Sequence, residues 1–232
     1  HDSYCIDGNR MRRISGSQGA AGSVYQTELE TWSRITAQSN VGNGPEWWEV
    51  YRKDGLIYEY GNSADSRIET VGSPTARVWA LTKIRDRVGN AITFTYTEDT
   101  ANGSYRPIAI HYGGVPSSGH KIVFGYETAT RPDPIYGYRF GNFQTGIEGP
   151  INEFKRLNKI EVVYVPTETA VRTYNLAYQA AGGAGAALAS VTIVSLTRSP
   201  SAGIPPSTGG EPSAQGVDET LAQHASGGAG AR

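Results

Sequence analysis

Glutamates and aromatic rings are concentrated in the segment from residue 46 to residue 60. A retaining glycosidase uses two carboxyl groups about 5 Å apart on either side of a sugar. An aromatic face offers apolar surface against which a sugar ring packs. This segment therefore holds the candidate binding residues for a glycan, which are Trp47, Trp48, Glu49, Tyr58 and Glu59. Aromatic residues on a sheet more often pack in the core or in cross-strand pairs, so structural packing is the favoured interpretation.

The other groups that could carry chemistry are isolated. Cys5 is a lone cysteine, which is usually inert, and Ser15-Gly16-Ser17-Gln18-Gly19 lacks the first glycine of a hydrolase nucleophile elbow. The histidines show no metal-ligand spacing, although His111 and His120 follow each other across one loop and could face each other on adjacent strands. The sequence therefore predicts no catalytic residue, no metal site and no cofactor.

Charge and hydropathy exclude two classes of partner. The 21 Lys and Arg residues nearly cancel the 22 Asp and Glu residues, leaving a net charge of −1. This balance gives no electrostatic reason to bind nucleic acid or an anionic membrane. No apolar run approaches the ~20 residues that a membrane-spanning helix needs. The single cysteine cannot form an internal disulfide, so the fold must be stable without one.

The sequence predicts that β-strands position these candidate residues. Asp54-Gly55 joins two aromatic runs with period-two alternation, the strongest short-range hairpin signal. A second hairpin is predicted around residues 86–90, between runs 78–85 and 91–96. The 14 tyrosines and 29 glycines, against one methionine, suit strands and tight turns. The predicted fold class is all-β and antiparallel, with about ten strands, at residues 23–35, 47–51, 56–60, 77–84, 91–96, 107–112, 120–126, 155–165, 171–178 and 188–197.

A buried aromatic face follows from this alternation. One face of the sheet is predicted to bury a set of rings, which are Trp32, Trp48, Tyr58, Tyr60, Trp79, Phe94 and Tyr96. The last part of the chain has a different composition. Residues 199–232 are rich in Pro, Gly, Ser and Ala and contain few large apolar side chains, so they are predicted to form a flexible tail that can be removed with little loss of stability. The predicted domains are thus a β-sheet domain at 1–198 and a low-complexity tail at 199–232.

Several co-linear motifs carry a family resemblance, at residues 22–30, 53–61, 65–69, 78–90, 95–107 and 172–178. Together they resemble the N-terminal region shared by the Salmonella plasmid-virulence B protein and the B component of insecticidal toxin complexes. The resemblance covers about residues 3–196. It implies a hairpin-rich sheet of RHS/YD type that helps to build a hollow β-shell around a toxic segment.

The functional expectations follow from this resemblance. It implies a structural or encapsulating piece of a secreted or extracellular bacterial toxin-like protein, without catalysis of its own. Its partners would be other subunits or segments of that assembly, or a second copy joined through sheet edges. Such proteins run for many hundreds of residues, and this chain begins at His1, so a processed, truncated or frame-shifted fragment is expected. The alternatives are a small hydrolase acting on a glycan or ester, and a carbohydrate-binding module.

Overall fold

The structure is a computed structural model that describes residues 4–42, 44–69, 71–72, 75–114, 117–139, 149–181 and 185–195. Within these residues there are seventeen strands, two single-turn 3₁₀ helices and no α-helix. The predicted all-β, antiparallel fold is confirmed. No helix in the described part of the chain is long and apolar enough to cross a membrane.

The strands follow each other closely along the chain. Their bounds are β1 Cys5–Ile6, β2 Asn9–Ser15, β3 Val24–Thr27, β4 Arg34–Val41, β5 Gly44–Tyr51, β6 Ile57–Tyr60, β7 Arg67–Glu69, β8 Ala76–Trp79, β9 Leu81–Arg85, β10 Ala91–Asp99, β11 Ser104–Tyr112, β12 His120–Tyr126, β13 Tyr138–Arg139, β14 Gly149–Pro150, β15 Leu157–Tyr164, β16 Thr169–Ala181 and β17 Gly185–Ser195. The 3₁₀ helices are Ala64–Ser66 and Val165–Thr167.

Thirteen of these strands form one sheet in which each strand is antiparallel to its neighbours. The order is β1-β2-β3-β4-β5-β6-β9-β10-β11-β12-β15-β16-β17. The chain leaves this order twice, to form the two-stranded sheets β7-β8 and β13-β14. The sheet is therefore a meander of local hairpins with two excursions, which explains why a short-range turn signal predicts so much of it.

The Asp54-Gly55 turn shows how the sequence dictates one of these hairpins. Gly55 has φ +81°, a conformation that costs glycine nothing. The backbone N–H of Leu56 donates to Asp54 Oδ1 at 2.9 Å, and the N–H of Arg52 donates to the carbonyl of Leu56 at 3.2 Å. The turn is closed by its own residues, and β5 pairs with β6 as predicted.

The core lies at the N-terminal end of the sheet. Its buried apolar residues are Met11, Tyr25, Ile35, Ala37, Trp48 and Val50. The rings of three residues pack edge to face around Trp48: its ring centroid lies 4.9 Å from that of Tyr4, 5.3 Å from that of Tyr25 and 5.8 Å from that of Trp79. Edge-to-face pairs of this kind add to the free energy gained from burial. This aromatic cluster (Tyr4, Tyr25, Trp48 and Trp79) holds together strands that are far apart in sequence.

Three of the sequence predictions are wrong in this region. The predicted strand at 23–35 is two strands, β3 and β4, with a turn between them, and Trp32 is 72% exposed instead of buried. Trp32 has φ +56°, and its backbone N–H donates to Glu30 Oε1 at 2.6 Å. This local turn interrupts the alternation. The predicted strand at 77–84 is likewise divided at Ala80 into β8 and β9, because β8 pairs with β7 outside the main sheet.

Trp48 is buried as predicted, and the other five rings of the predicted set are half-buried. The predicted tail at 199–232 lies outside the described residues.

Candidate functional site

The two predicted carboxylates are direct neighbours. The register of the β5-β6 hairpin pairs Glu49 with Glu59, so the two side chains are on the same face of the sheet. The alternation of side chains along β5 and β6 thus brings the two carboxylates together, as two carboxylates that act on one sugar must be.

A third strand supplies the counter-charges. Arg85 on β9 donates from Nε to Glu59 Oε1 at 2.8 Å and from Nη2 to Glu49 Oε1 at 2.7 Å. Lys83 Nζ lies 3.6 Å from Glu59 Oε2, and the side-chain amide of Asn62 donates to the same oxygen at 2.7 Å. One guanidinium therefore bridges both carboxylates, and two cations balance two anions in this charge cluster (Glu49, Glu59, Lys83 and Arg85).

The electrostatics of Glu59 follow from these contacts. Burial acts against its ionisation, since only 6% of the side chain is exposed. The hydrogen bonds from Arg85 and Asn62 and the charges of Lys83 and Arg85 outweigh burial, so the pKa of Glu59 lies below its usual value. A proton-donating carboxyl in a glycosidase needs a raised pKa. The geometry therefore suits an ion-pair network that ties β5, β6 and β9 together.

The five predicted binding residues do not share one face of the sheet. Because adjacent residues of a strand alternate between faces, Trp47 lies on the face of Glu49, and Trp48 lies on the other. The register pairs Tyr58 with Val50, which puts Tyr58 on the Trp48 face. Trp48 is only 5% exposed and packs inside the aromatic cluster. Trp47, Glu49 and Glu59 thus share one face of the sheet, and Trp48 and Tyr58 share the other.

The histidines His111 and His120 do not face each other. The β11-β12 register pairs His111 with Lys121 and His120 with Tyr112, so the two histidines are on opposite faces. The His120 ring lies between those of Tyr112 and Tyr164, with centroid distances of 5.9 and 5.4 Å. In the part of the chain that the structure describes, no group of three or more His, Cys, Asp and Glu side chains is arranged to hold a metal ion.

A cavity of about 310 Å³ lies elsewhere, between the β7-β8 and β10-β11 hairpins. Its lining residues include the acidic Glu69, Glu98 and Asp99, together with Ser104 and the apolar Ile68. Burial, then repulsion by Glu69 and Asp65, raises the pKa of Glu98 to about 7, and Arg67 and Arg77 offset part of this rise. The sequence gives no sign of this cavity, since no spacing pattern links residue 69 to residues 98–104.

Part of this sequence matches a known protein family. Residues 22–112 match the family model described as Salmonella virulence plasmid 65kDa B protein. No curated protein matches the sequence at a significant level. The N-terminal domain of effector protein SpvB from Salmonella typhimurium strain LT2 has a similar structure, with a TM-score of 0.63 and 15% identity, over 82% of this chain and 80% of that one.

Two toxin structures have the same fold over a short part of their length. TcdB2-TccC3 has a TM-score of 0.60 at 18% identity, covering 82% of this chain and 13% of that one. TcdB2-TccC3-TEV has a TM-score of 0.58 at 18% identity, covering 82% of this chain and 12% of that one. This chain thus spans about an eighth of the length of those two chains. The resemblance predicted from the motifs is confirmed by the family match at 22–112 and by the shared fold.

Proposed function

We propose, from the family match over residues 22–112 and the shared fold, that this chain is a structural segment of a bacterial toxin-complex-like protein. In this proposal it is an RHS/YD-type sheet that encapsulates and does not catalyse. Its partners are further segments of such an assembly or a second copy of the chain, and it acts outside the bacterial cell.

The observation that carries the proposal is that the last strand, β17, lies at the end of the sheet order and exposes apolar side chains. Among the described residues, β17 pairs only with β16 and ends the sheet order. Large apolar side chains on it are exposed, and they are Leu188, Val191, Ile193 and Val194, with Ile193 at 58%. Adjacent residues alternate between faces, so Ile193 and Val194 expose apolar surface on both sides of this strand.

A long apolar strand at the end of a sheet favours association. Within the described ranges no strand pairs with its outer N–H and C=O groups, and such groups form a template for another strand. Covering Val191 and Ile193 would also remove apolar surface from water, at about 25 cal/mol for each Å². A strand that serves as an interior part of a larger sheet has these properties, and this chain spans a small share of the TcdB2-TccC3 chains that have its fold.

Sedimentation of the full chain over a range of concentrations tests the proposal. We expect reversible self-association in which the outward-pointing amide hydrogens of β17 become protected from exchange. The double variant V191K/I193K should shift the equilibrium towards monomer, because two charges on the edge strand oppose pairing. The control is V88K, which puts one such charge at an 85% exposed position in the turn after β9.

Two results would contradict the proposal. One is a chain that stays monomeric at high concentration while its β17 amides exchange slowly, since the edge would then be covered within the chain. The other is equal association of the wild type and V191K/I193K.

Carbohydrate recognition is the second candidate, and the shared face of Trp47, Glu49 and Glu59 favours it. Carboxylates accept hydrogen bonds from sugar hydroxyls, and a half-buried indole offers a stacking surface. Binding is favoured over hydrolysis here because Glu59 has a lowered pKa. Saturable glycan binding that W47A abolishes and V88K retains would support this candidate. Turnover of a glycan or ester, lost in E49Q or E59Q, would support the hydrolase.

A further inference from the structure

One face of the sheet stays apolar far beyond the core. The registers pair Tyr58 with Ile84 and Ile84 with Ile92. The face that bears Trp48 therefore continues across β9 to β10, and Phe94, two residues after Ile92, lies on it as well. From Phe94 the registers lead through directly paired apolar residues on the next strands of the sheet, which are Ile110, Ile122 and Val162. The apolar surface thus passes from hairpin to hairpin without interruption.

A second row of paired residues widens this surface. It begins at Phe124, two residues after Ile122, and continues on the following strands through Ile160, Tyr174 and Ile193. The surface formed by this face from β9 to β17 is called the apolar patch below. Arg172, which the register places opposite Val162, is a charged and exposed residue at its margin.

The apolar patch is not buried within the described part of the chain. At the N-terminal end of the same face Trp48 is only 5% exposed, because the ring of Trp79 packs against it. None of the described apolar residues of the patch is buried in this way, and Ile92 is 38% and Ile193 58% exposed. A contiguous exposed apolar surface of several hundred Å² marks an interaction site in soluble proteins.

The opposite face of the same strands is suited to water. Thr93 is paired with both Lys83 and His111, and His111 is paired with Lys121. Glu161 lies on this face too, opposite Val123. An antiparallel sheet commonly has one solvated face and one face packed against another layer. The apolar patch is therefore the face that requires a cover.

Tyrosines hold the apolar patch in shape. Residues 92–96, 122–126 and 174–178 share a pattern, with an aliphatic or aromatic residue at the first and third positions and a tyrosine at the fifth. In each segment the tyrosine hydroxyl donates to a backbone carbonyl of the preceding strand: Tyr96 to Leu81 at 2.7 Å, Tyr126 to Pro107 at 2.8 Å and Tyr178 to Leu157 at 2.6 Å. A preformed surface of this kind loses little conformational freedom when it docks.

Size and architecture favour a second copy of the chain as the cover. Seven strands about 4.8 Å apart and about five residues long make a surface of about 34 Å by 17 Å. Two such surfaces facing each other bury about 1,100 Å², at the lower end of specific interfaces. Apolar sheet faces are covered by helices or by a second sheet, and the described part of this chain contains no α-helix. A second copy supplies a sheet face of the same size and chemistry.

We infer that the apolar patch packs against the apolar patch of a second copy, so that the two sheets form a sandwich about a twofold axis. The sheets lie about 10 Å apart, the distance at which the side chains of facing sheets interdigitate. A twofold axis brings the same surface of both copies together, so one patch is enough to form a closed dimer. This contact uses the face of the sheet and is independent of strand pairing along the outer edge of β17.

Sedimentation of the full chain over a range of concentrations tests the inference with two variants on β12. I122K puts a charge into the apolar patch, and V123K puts the same charge one residue away on the opposite face, where the native side chain is also half-buried. An unpaired charge is costly to bury, so I122K should weaken the sandwich association at least about tenfold and V123K less than about twofold. I92K repeats the test at a 38% exposed position, for the case that I122K alters folding.

Hydrogen exchange separates the sandwich from strand pairing. Edge pairing protects the outward-pointing amides of β17, whereas face-to-face packing leaves them exchanging. Association that I122K and I92K weaken and V123K retains would support the inference. Association with protected β17 amides that is equal in the wild type, I122K and I92K would overturn it and leave the proposed function standing. Equal weakening by V123K and I122K would also overturn it, because the effect would not be specific to the apolar patch.

Discussion

The guanidinium of Arg85 donates from Nε to Glu59 Oε1 at 2.8 Å, and these residues come from strands that meet only because the chain leaves the sheet between them. The β7-β8 excursion separates β6 from β9 in sequence, and the sheet rejoins them. The ion pair therefore depends on the pairing of β6 with β9 in the tertiary structure and not on a local hairpin. It also gives the buried Glu59 the partner that a buried charge requires.

Replacing Arg85 with Met should destabilise the fold by about 1–3 kcal/mol, because Glu59 loses its strongest partner while staying buried. Urea denaturation followed by tryptophan fluorescence measures the change. K83M is the comparison, and its effect should be smaller because Lys83 is more exposed and lies 3.6 Å from Glu59. In the double variant R85M/E59Q the loss should be partly recovered, since residue 59, the most deeply buried member of the charge cluster, then carries no charge. Strict additivity would contradict this account.

Gly61 should tolerate no side chain. It has φ +76°, and a Cβ built there overlaps the ring of Trp79. G61A should therefore cost the ~1–2 kcal/mol of a left-handed backbone plus a further ~1–3 kcal/mol of overpacking. G55A is the matched control, because Gly55 has φ +81° with nothing near its Cβ position. Equal thermal stabilities of G61A and G55A would show that Trp79 is not packed against Gly61.

Stability should respond to pH through Glu98. Its pKa is raised to about 7 in the fold, so the folded chain holds this proton more tightly than the unfolded chain. Stability from this group is present at low pH and is lost as the pH rises through about 7. E98Q should therefore be more stable than the wild type at about pH 8, with a difference that shrinks towards about pH 5. Thermal melts at both pH values measure this, and a constant difference would contradict it.

The two adjacent tryptophans should differ in their energetic roles. W48A removes a ring that is 5% exposed and touches three other rings, so it should cost about 3–5 kcal/mol. W47A removes a half-buried ring from the opposite face and should cost clearly less. Chemical denaturation of both variants gives the comparison. Similar losses would mean that the Trp47 face is also covered.

The tail predicted from composition can be tested by truncation. A chain that ends at Arg198 should melt at nearly the temperature of the full chain, because residues 199–232 contribute few large apolar side chains. Limited proteolysis should cleave near the same point. Loss of folding on truncation would show that the tail is a docked element.

Local chemistry made much of the fold predictable. The Asp54-Gly55 turn closes its hairpin with its own hydrogen bonds, and the turn after β9 does the same through Asp86, which accepts the N–H groups of Val88 and Asn90 at 2.9 Å. Each of these turns depends on residues within five positions of each other. For the same reason, the pairing of Glu49 with Glu59 followed from the hairpin.

The sequence predictions failed where a local contact interrupted the alternation of a strand, or where a contact depended on residues far apart in the chain. Trp32 sits in an alternating run, but its N–H bonds to Glu30 and ends the strand. Neither Arg85 at Glu59 nor Glu98 beside Glu69 is signalled by spacing, because the partners come from separate hairpins. The sequence alone determined that the chain forms antiparallel hairpins, since turn residues and alternation act over a few positions. Only the tertiary structure decided which hairpins meet, and therefore which charges are paired and which polar atoms line a cavity, because those contacts depend on packing between segments far apart in the chain.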